Sequence, residues 1–220
     1  MVCLPHRRTP FHGARRAAGA GIWIAPGRLT RLVIRGSVPQ RHRGSRGGCV
    51  DRLSVTTLNQ LDAAGFAAAL EGIFEGSPWV VQAAAGRRPF ADRAALLAAC
   101  AAVVGAADRG QQLALIRAHP DLAGRAALAG TLTRESAGEQ ASAGLDRLDP
   151  AEFARFHALN QAYRERFAFP FVICVRRQTK QSILAAFEQR LTHDAADEIA
   201  TALAEIVAIA DIRLAERIAP

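Results

Sequence analysis

An all-α fold, a single bundle-like domain of eight or nine helices with one extended segment, is what this sequence predicts. Three observations carry that reading. Alanine dominates a 220-residue chain whose residues are 50% hydrophobic, a composition that favours helices over sheets. Apolar residues recur at three- and four-residue spacing from Leu58 to Ile218. No strand-then-helix alternation suggests a βαβ unit, and no internal repeat is visible.

The elements follow in order. Leu58, Leu61, Phe66, Leu70, Ile73 and Phe74 make an apolar stripe through 62–75, which Gly76 stops. Ser77-Pro78-Trp79 restarts a helix to Gly86, with Ser77 as N-cap and Pro78 at the first helical position. Asp92 caps a third helix that ends near 105–107, and 108–117 forms a fourth. His119-Pro120 follows: the residue before a proline is pushed out of the α region, so His119 ends one helix and Pro120 opens the next. A short helical piece reaches Gly130, and 133–148 reads as one helix with a polar start. Asp149-Pro150-Ala151-Glu152 is a strong entry to a helix ending at about Phe167. Phe169 to Val175 is apolar, β-branched and interrupted by Pro170, hence an extended segment crossing the interior. Thr179 opens a helix through Phe187, and the last runs from His193 or Asp194 to Ile218.

Charge is unevenly placed. Residues 1–52 hold eleven Arg and one acid, Asp51, a formal +10 against +8 for the whole chain, so 53–220 carry −2. The domain at 53–220 is therefore not expected to bind nucleic acid, whereas the Arg-rich leader at 1–52 resembles a transit peptide or a nucleic-acid-binding arm. A third origin for it is an upstream start codon in a GC-rich gene, the native chain then beginning near 53–57. Whichever holds, the leader is expected to be poorly ordered. Cys3, Cys49, Cys100 and Cys174 have neither CxxC pairing nor histidines at ligand spacing, which reads as reduced thiols in a cytoplasmic protein without a metal site. No apolar run approaches the roughly 20 residues of a membrane span.

Phosphate-cradling glycine loops and H-E-x-x-H are absent, and the only lysine, Lys180, lies in a polar run that reads as a solvated helix start. Acid–base chemistry is what is left. His157 and His193 sit where structural roles suffice, and His119, at a helix break, is the strongest candidate. Ser136-x-x-Glu139 matches a capping box, yet the small residues Ala137, Gly138, Ala141, Ala143 and Gly144 would let a ligand approach Glu139 and Gln140. The extended segment has backbone groups that need partners, and a planar ligand rich in amides is one such partner.

Seven motifs occur in order: Asn59-x-Leu61, Phe74-Glu75-x-Ser77-Pro78-Trp79, Arg88-Pro89-Phe90, His119-Pro120-Asp121-Leu122-Ala123-Gly124, Glu135-Ser136-x-x-Glu139-Gln140-x-x-Ala143-Gly144-Leu145, Asn160-x-x-Tyr163 and Phe169-Pro170-Phe171-Val172-Ile173. In that register the chain resembles the family of 2-oxo-4-hydroxy-4-carboxy-5-ureidoimidazoline (OHCU) decarboxylases of urate degradation, over about 58–218. The resemblance implies a cofactor-free, all-helical carboxy-lyase, often dimeric, that releases CO₂ and forms (S)-allantoin. It implies catalytic roles for His119 and Glu139. Substrate contacts would come from Pro120, Ser136, Ala137, Gly138 and Gln140, from Phe171, Val172, Ile173, Cys174 and Val175, and from Arg213. Two other classes are a catalytically silent helical binding module and a protein associated with nucleic acid through its leader.

Overall fold

Ten α-helices and one 3-10 turn make up the computed structural model, which describes residues 52–219. The helices are α1 Val55–Gln60, α2 Ala63–Ala69, α3 Trp79–Ala85, α4 Arg93–Ala106, α5 Arg109–Arg117, α6 Arg125–Leu128, α7 Arg134–Ser142, α8 Pro150–Phe167, α9 Lys180–Arg190 and α10 Ala195–Arg217; the 3-10 turn is Val175–Arg177. The expectations for the leader fall outside the described residues, Arg52 excepted. No helix among the described residues is long and apolar enough to cross a membrane.

Polar residues at the helix starts explain most of the boundaries. Ser54, Asp62, Asp92, Asp108, Thr133, Asp149, Thr179 and Asp194 each accept a hydrogen bond from a backbone N–H of the first turn. Each such cap is worth about 1 kcal/mol. Asp149 and Glu152 complete a reciprocal capping box at the start of α8. Asn59 clips the chain after α3, its side-chain amide donating to Phe90 O at 2.8 Å and accepting from Phe90 N at 2.9 Å.

α10 is the spine. Its buried positions Ile199, Ala202, Ile206, Ile209, Ala210 and Leu214 recur every three or four residues, and it packs against α4 and α5. An aromatic cluster of Phe156, Tyr163, Phe171 and Phe187 joins α8 and α9 beneath the non-helical segment. Among the described residues the only strand-like pairing is one parallel bridge, Leu53 to Ile218.

The structure corrects several boundaries. Ten helices replace eight or nine because Leu61 is extended (ψ 148°) and separates α1 from α2. The stripe at 62–75 is helical only to Ala69; Gly72, at φ 76°, turns the chain so that Glu75 arrives on a turn rather than a helix. Pro78, not Ser77, is the cap residue of α3, and that entry has no side-chain hydrogen bond. The helix expected over 133–148 stops at Ser142, where left-handed Gly144 lets Leu145 N–H reach the Gln140 carbonyl, a Schellman-type end. Pro120 opens no helix. α5 ends at Arg117, and residues 119–124 form an irregular turn before α6.

Candidate active site

His119 follows directly from the end of α5. Its N–H donates to Ile116 O, and the following proline prevents another helical turn. The ring folds back onto its own helix, with Nδ1 3.0 Å from Leu115 O. A carbonyl only accepts, so Nδ1 carries the proton and Nε2 is left as the acceptor. The residue is 7% exposed. Burial pushes the imidazole down to about 4 from its usual 6.5; the Leu115 carbonyl and the Glu75 carboxylate oppose that, and Arg213 adds to it.

Beside it lies a closed polar frame. Arg213 on α10 is 2% exposed and surrounded by acceptors. Its Nε donates to Glu139 Oε1 at 2.7 Å, and Nη2 to Glu139 Oε2 at 2.8 Å and Ser136 Oγ at 3.4 Å. Nη1 donates to Gly72 O at 2.8 Å and Glu75 Oε2 at 3.0 Å. A guanidinium has five N–H donors, and all five are engaged. Burial pulls its pKa down, but the Glu139 and Glu75 carboxylates outweigh burial and hold it above the ordinary arginine value. Glu75 also accepts from Thr133 Oγ1 at 2.8 Å and Ser136 Oγ at 3.0 Å.

α7 supplies one side of this frame because its inward face is polar: its buried residues are Ser136 and Gln140, one turn apart, with Glu139 beside them. The capping-box reading of Ser136 and Glu139 gives way, since Thr133 caps α7. Gln140 braces the turn after His119, with Oε1 accepting from Ala123 N at 2.9 Å and Nε2 donating to Asp121 O at 3.4 Å. That turn is strained at Ala123, whose φ of 50° is unusual without glycine. Asn160 donates to Leu122 O at 2.8 Å, and Arg164 pairs with Asp121 at 2.9 Å, so α7 and α8 together fix the turn.

The opposite wall is the segment from Phe169 to Val175. It crosses the interior without strand pairing, as expected, and only Val175 enters a regular element, the 3-10 turn. Val172 O accepts from Arg190 Nη1 at 2.8 Å, and Cys174 N–H donates to Glu205 Oε2 at 2.7 Å. Among the described residues, the N–H groups of Phe171, Val172, Ile173 and Val175 have no protein acceptor.

These parts line a narrow cleft that opens to solvent. His119, Pro120, Ser136, Glu139, Gln140 and Arg213 line its polar side. Phe171, Val172, Ile173 and Val175 line the wall, and the sequence reading missed Leu122 and Ile209, which complete it. Three expected contacts do not line it. Ala137 borders an apolar groove with Leu128, Gly138 lies in a charged cleft with Arg217, and Cys174 is buried without lining the cleft. For α7 the reason is helical geometry, since positions 137 and 138 lie off the 136/139/140 face. The reading also missed Glu75 as a site residue. Its signal was a carboxylate directly after the apolar Ile73-Phe74, where burial demands a partner. Among the described residues, no group of three or more His, Cys, Asp or Glu is arranged to hold a metal ion.

A helical scaffold that brings a buried histidine, a carboxylate held by an arginine fork and several unpartnered backbone amides to one cleft has the parts of a small-molecule acid–base enzyme. Comparison with known proteins gives the family: the OHCU decarboxylase family model matches residues 59–215, and the chain belongs to that family. The 2-oxo-4-hydroxy-4-carboxy-5-ureidoimidazoline decarboxylase of Halalkalicoccus jeotgali is 43% identical over 169 residues, 77% of this chain and 94% of its own length. A crystal structure of (S)-allantoin synthase superposes with a TM-score of 0.61 at 32% identity, covering 76% of this chain and 54% of that one. An OHCU decarboxylase crystallised in the presence of (S)-allantoin shares the fold, with a TM-score of 0.54 at 19% identity over 66% of this chain and 93% of that one.

Proposed function

We propose that the cleft decarboxylates OHCU to (S)-allantoin without a cofactor, His119 moving the proton and Glu139 holding the ring. The observation that carries this reading is the neutral imidazole, with Nε2 as its free nitrogen, in the same cleft as Glu139. The substrate brings its own electron sink. The bond from C4 to the carboxylate breaks, CO₂ leaves, and the electron pair moves toward C5 and the ring imine, whose nitrogen takes a proton from solvent. The 4-hydroxyl gives its proton to Nε2 and becomes the C4 carbonyl, while the imidazolium returns that proton to C5. Because His119 starts neutral, the proton it donates is one it has first accepted. Delivery from one side fixes the S configuration.

Glu139, oriented by the Arg213 fork, accepts from the ureido N–H groups, the hydroxyl proton being directed to His119. Arg213 acts on the substrate through Glu139, since its own donors are spent. The free amides of Phe171, Val172, Ile173 and Val175 pair with the ring and ureido carbonyls. Leu122, Ile173 and Ile209 offer the leaving carboxylate an apolar surround, which favours its loss as neutral CO₂. The domain is taken as 53–220, working as a homodimer in the cytoplasm.

The test generates OHCU in situ from urate and follows the optical activity of allantoin. The protein should accelerate formation of the S enantiomer; allantoin formed at the spontaneous rate without optical activity would overturn the reading. Glu139→Gln keeps the size but gives up the charge, and should lower kcat about tenfold or more while circular dichroism stays helical. An unchanged kcat would reduce Glu139 to a structural partner of Arg213.

A further inference from the structure

Inside a helical protein, a non-helical wall needs something other than a backbone ladder to hold it in place. Here a buried ion pair stands directly behind it. Arg190 on α9 and Glu198 on α10 are 5% and 0% exposed, and Arg190 Nε lies 2.9 Å from Glu198 Oε1. The third nitrogen of the fork, Nη1, is the one that holds Val172 O at 2.8 Å. The guanidinium carbon sits 4.4 Å from the centroid of the Phe171 ring, and Phe187 stacks against Phe171 at 3.7 Å. Glu198 is fixed in turn by the Tyr163 hydroxyl and by His193 Nδ1 at 2.9 Å. None of these four polar residues lines the cleft, so none is placed to touch a ligand there.

A buried pair of this kind adds little stability over a well-packed apolar substitute, because desolvation offsets most of its attraction. What it does supply is a fixed direction. Arg190 cannot leave Glu198 without stranding a charge, so the Val172 carbonyl and the amides around it are held at one setting.

We propose that Arg190, oriented by Glu198 and Tyr163, is a positioning residue that sets the substrate-binding wall from Phe171 to Val175 and thereby substrate affinity. The proposal rests on the decarboxylase reading above, in which the amides of that wall bind the substrate carbonyls. Those contacts are made in ground state and transition state alike, so loosening them raises KM and leaves kcat nearly alone. His119 lies beyond α5, and Arg213, although it shares α10 with Glu198, stands about four turns away along that helix and shares no hydrogen-bond partner with the Arg190 network.

The experiment compares wild type with Arg190→Lys and Tyr163→Phe. Lysine keeps the charge but cannot reach Glu198 and Val172 O together. We expect KM to rise about tenfold in Arg190→Lys and about threefold in Tyr163→Phe, with kcat within about twofold and the pH profile unmoved. Calorimetric affinity for (S)-allantoin should weaken in parallel, and amide exchange at 171–175 should quicken ahead of the helices. KM and product affinity unchanged in folded variants, with only a lower Tm, would overturn the proposal and leave a structural brace. If Arg190→Lys does not fold, Tyr163→Phe decides alone. A wild-type protein without decarboxylase activity overturns the functional reading as well, whereas an active wild type with unchanged variants overturns only this inference.

Discussion

His119→Ala should lower kcat/KM by about a hundredfold or more, the range lost when a positioned acid–base group is removed. Allantoin then forms at close to its spontaneous rate and without optical activity, because the face-selective proton is gone. A variant within about threefold of wild type would refute the assignment. The pH dependence of the wild type tests the same residue independently. Burial holds the imidazole near 4, so the base form persists to low pH and the acid limb of kcat/KM should fall near pH 4 rather than 6.5. Stability follows with a definite sign. Between 6.5 and about 4 the unfolded chain takes up a proton at His119 and the folded chain does not. His119 therefore costs stability as pH falls through that window, and the loss levels off below it.

Arg213→Ala is the second large effect. It leaves Glu75 and Glu139 facing each other without a counter-ion inside the protein. Breaking a buried pair of this kind costs about 3–5 kcal/mol, which lowers Tm on the order of 10 °C for a domain of this size. Activity should fall with it, since Glu139 loses the fork that orients it. Arg213→Lys should recover part of the Tm and little of kcat, because an ammonium restores charge without the planar donor pattern. A Tm for Arg213→Ala within about 2 °C of wild type would show that the frame is not structural.

Most of the fold was legible because its signals are local. Asp92, Asp108, Asp149, Thr179 and Asp194 mark helix starts by chemistry confined to one turn, and α10 shows its buried stripe in the spacing of its isoleucines. The misread boundaries depend on backbone conformation rather than side-chain period: left-handed Gly72 and Gly144, extended Leu61, and a proline that follows one helix without opening another. In the cleft, His119 stood out through its position before Pro120, and the wall through its break from helical periodicity. Glu139 was readable only alongside the family's motifs, since alone it is indistinguishable from a cap. Glu75 showed only as a carboxylate after an apolar pair, its partner lying 138 residues away, and Arg190 gave no signal at all, because what defines it is a backbone carbonyl.

The saturated fork of Arg213 has an implication for what the cleft will hold. Two carboxylates against one guanidinium leave the frame formally −1 before any ligand arrives, and among the described residues Arg213 is the one arginine or lysine that lines this cleft. The substrate enters as an anion, and its products, a neutral ureide and carbon dioxide, do not share that charge. On the mechanism proposed above, expulsion of carbon dioxide relieves the repulsion between that charge and the frame. By the same arithmetic, competitive inhibitors should be uncharged ring ureides rather than carboxylated mimics, an order that inhibition constants for a matched pair would read directly.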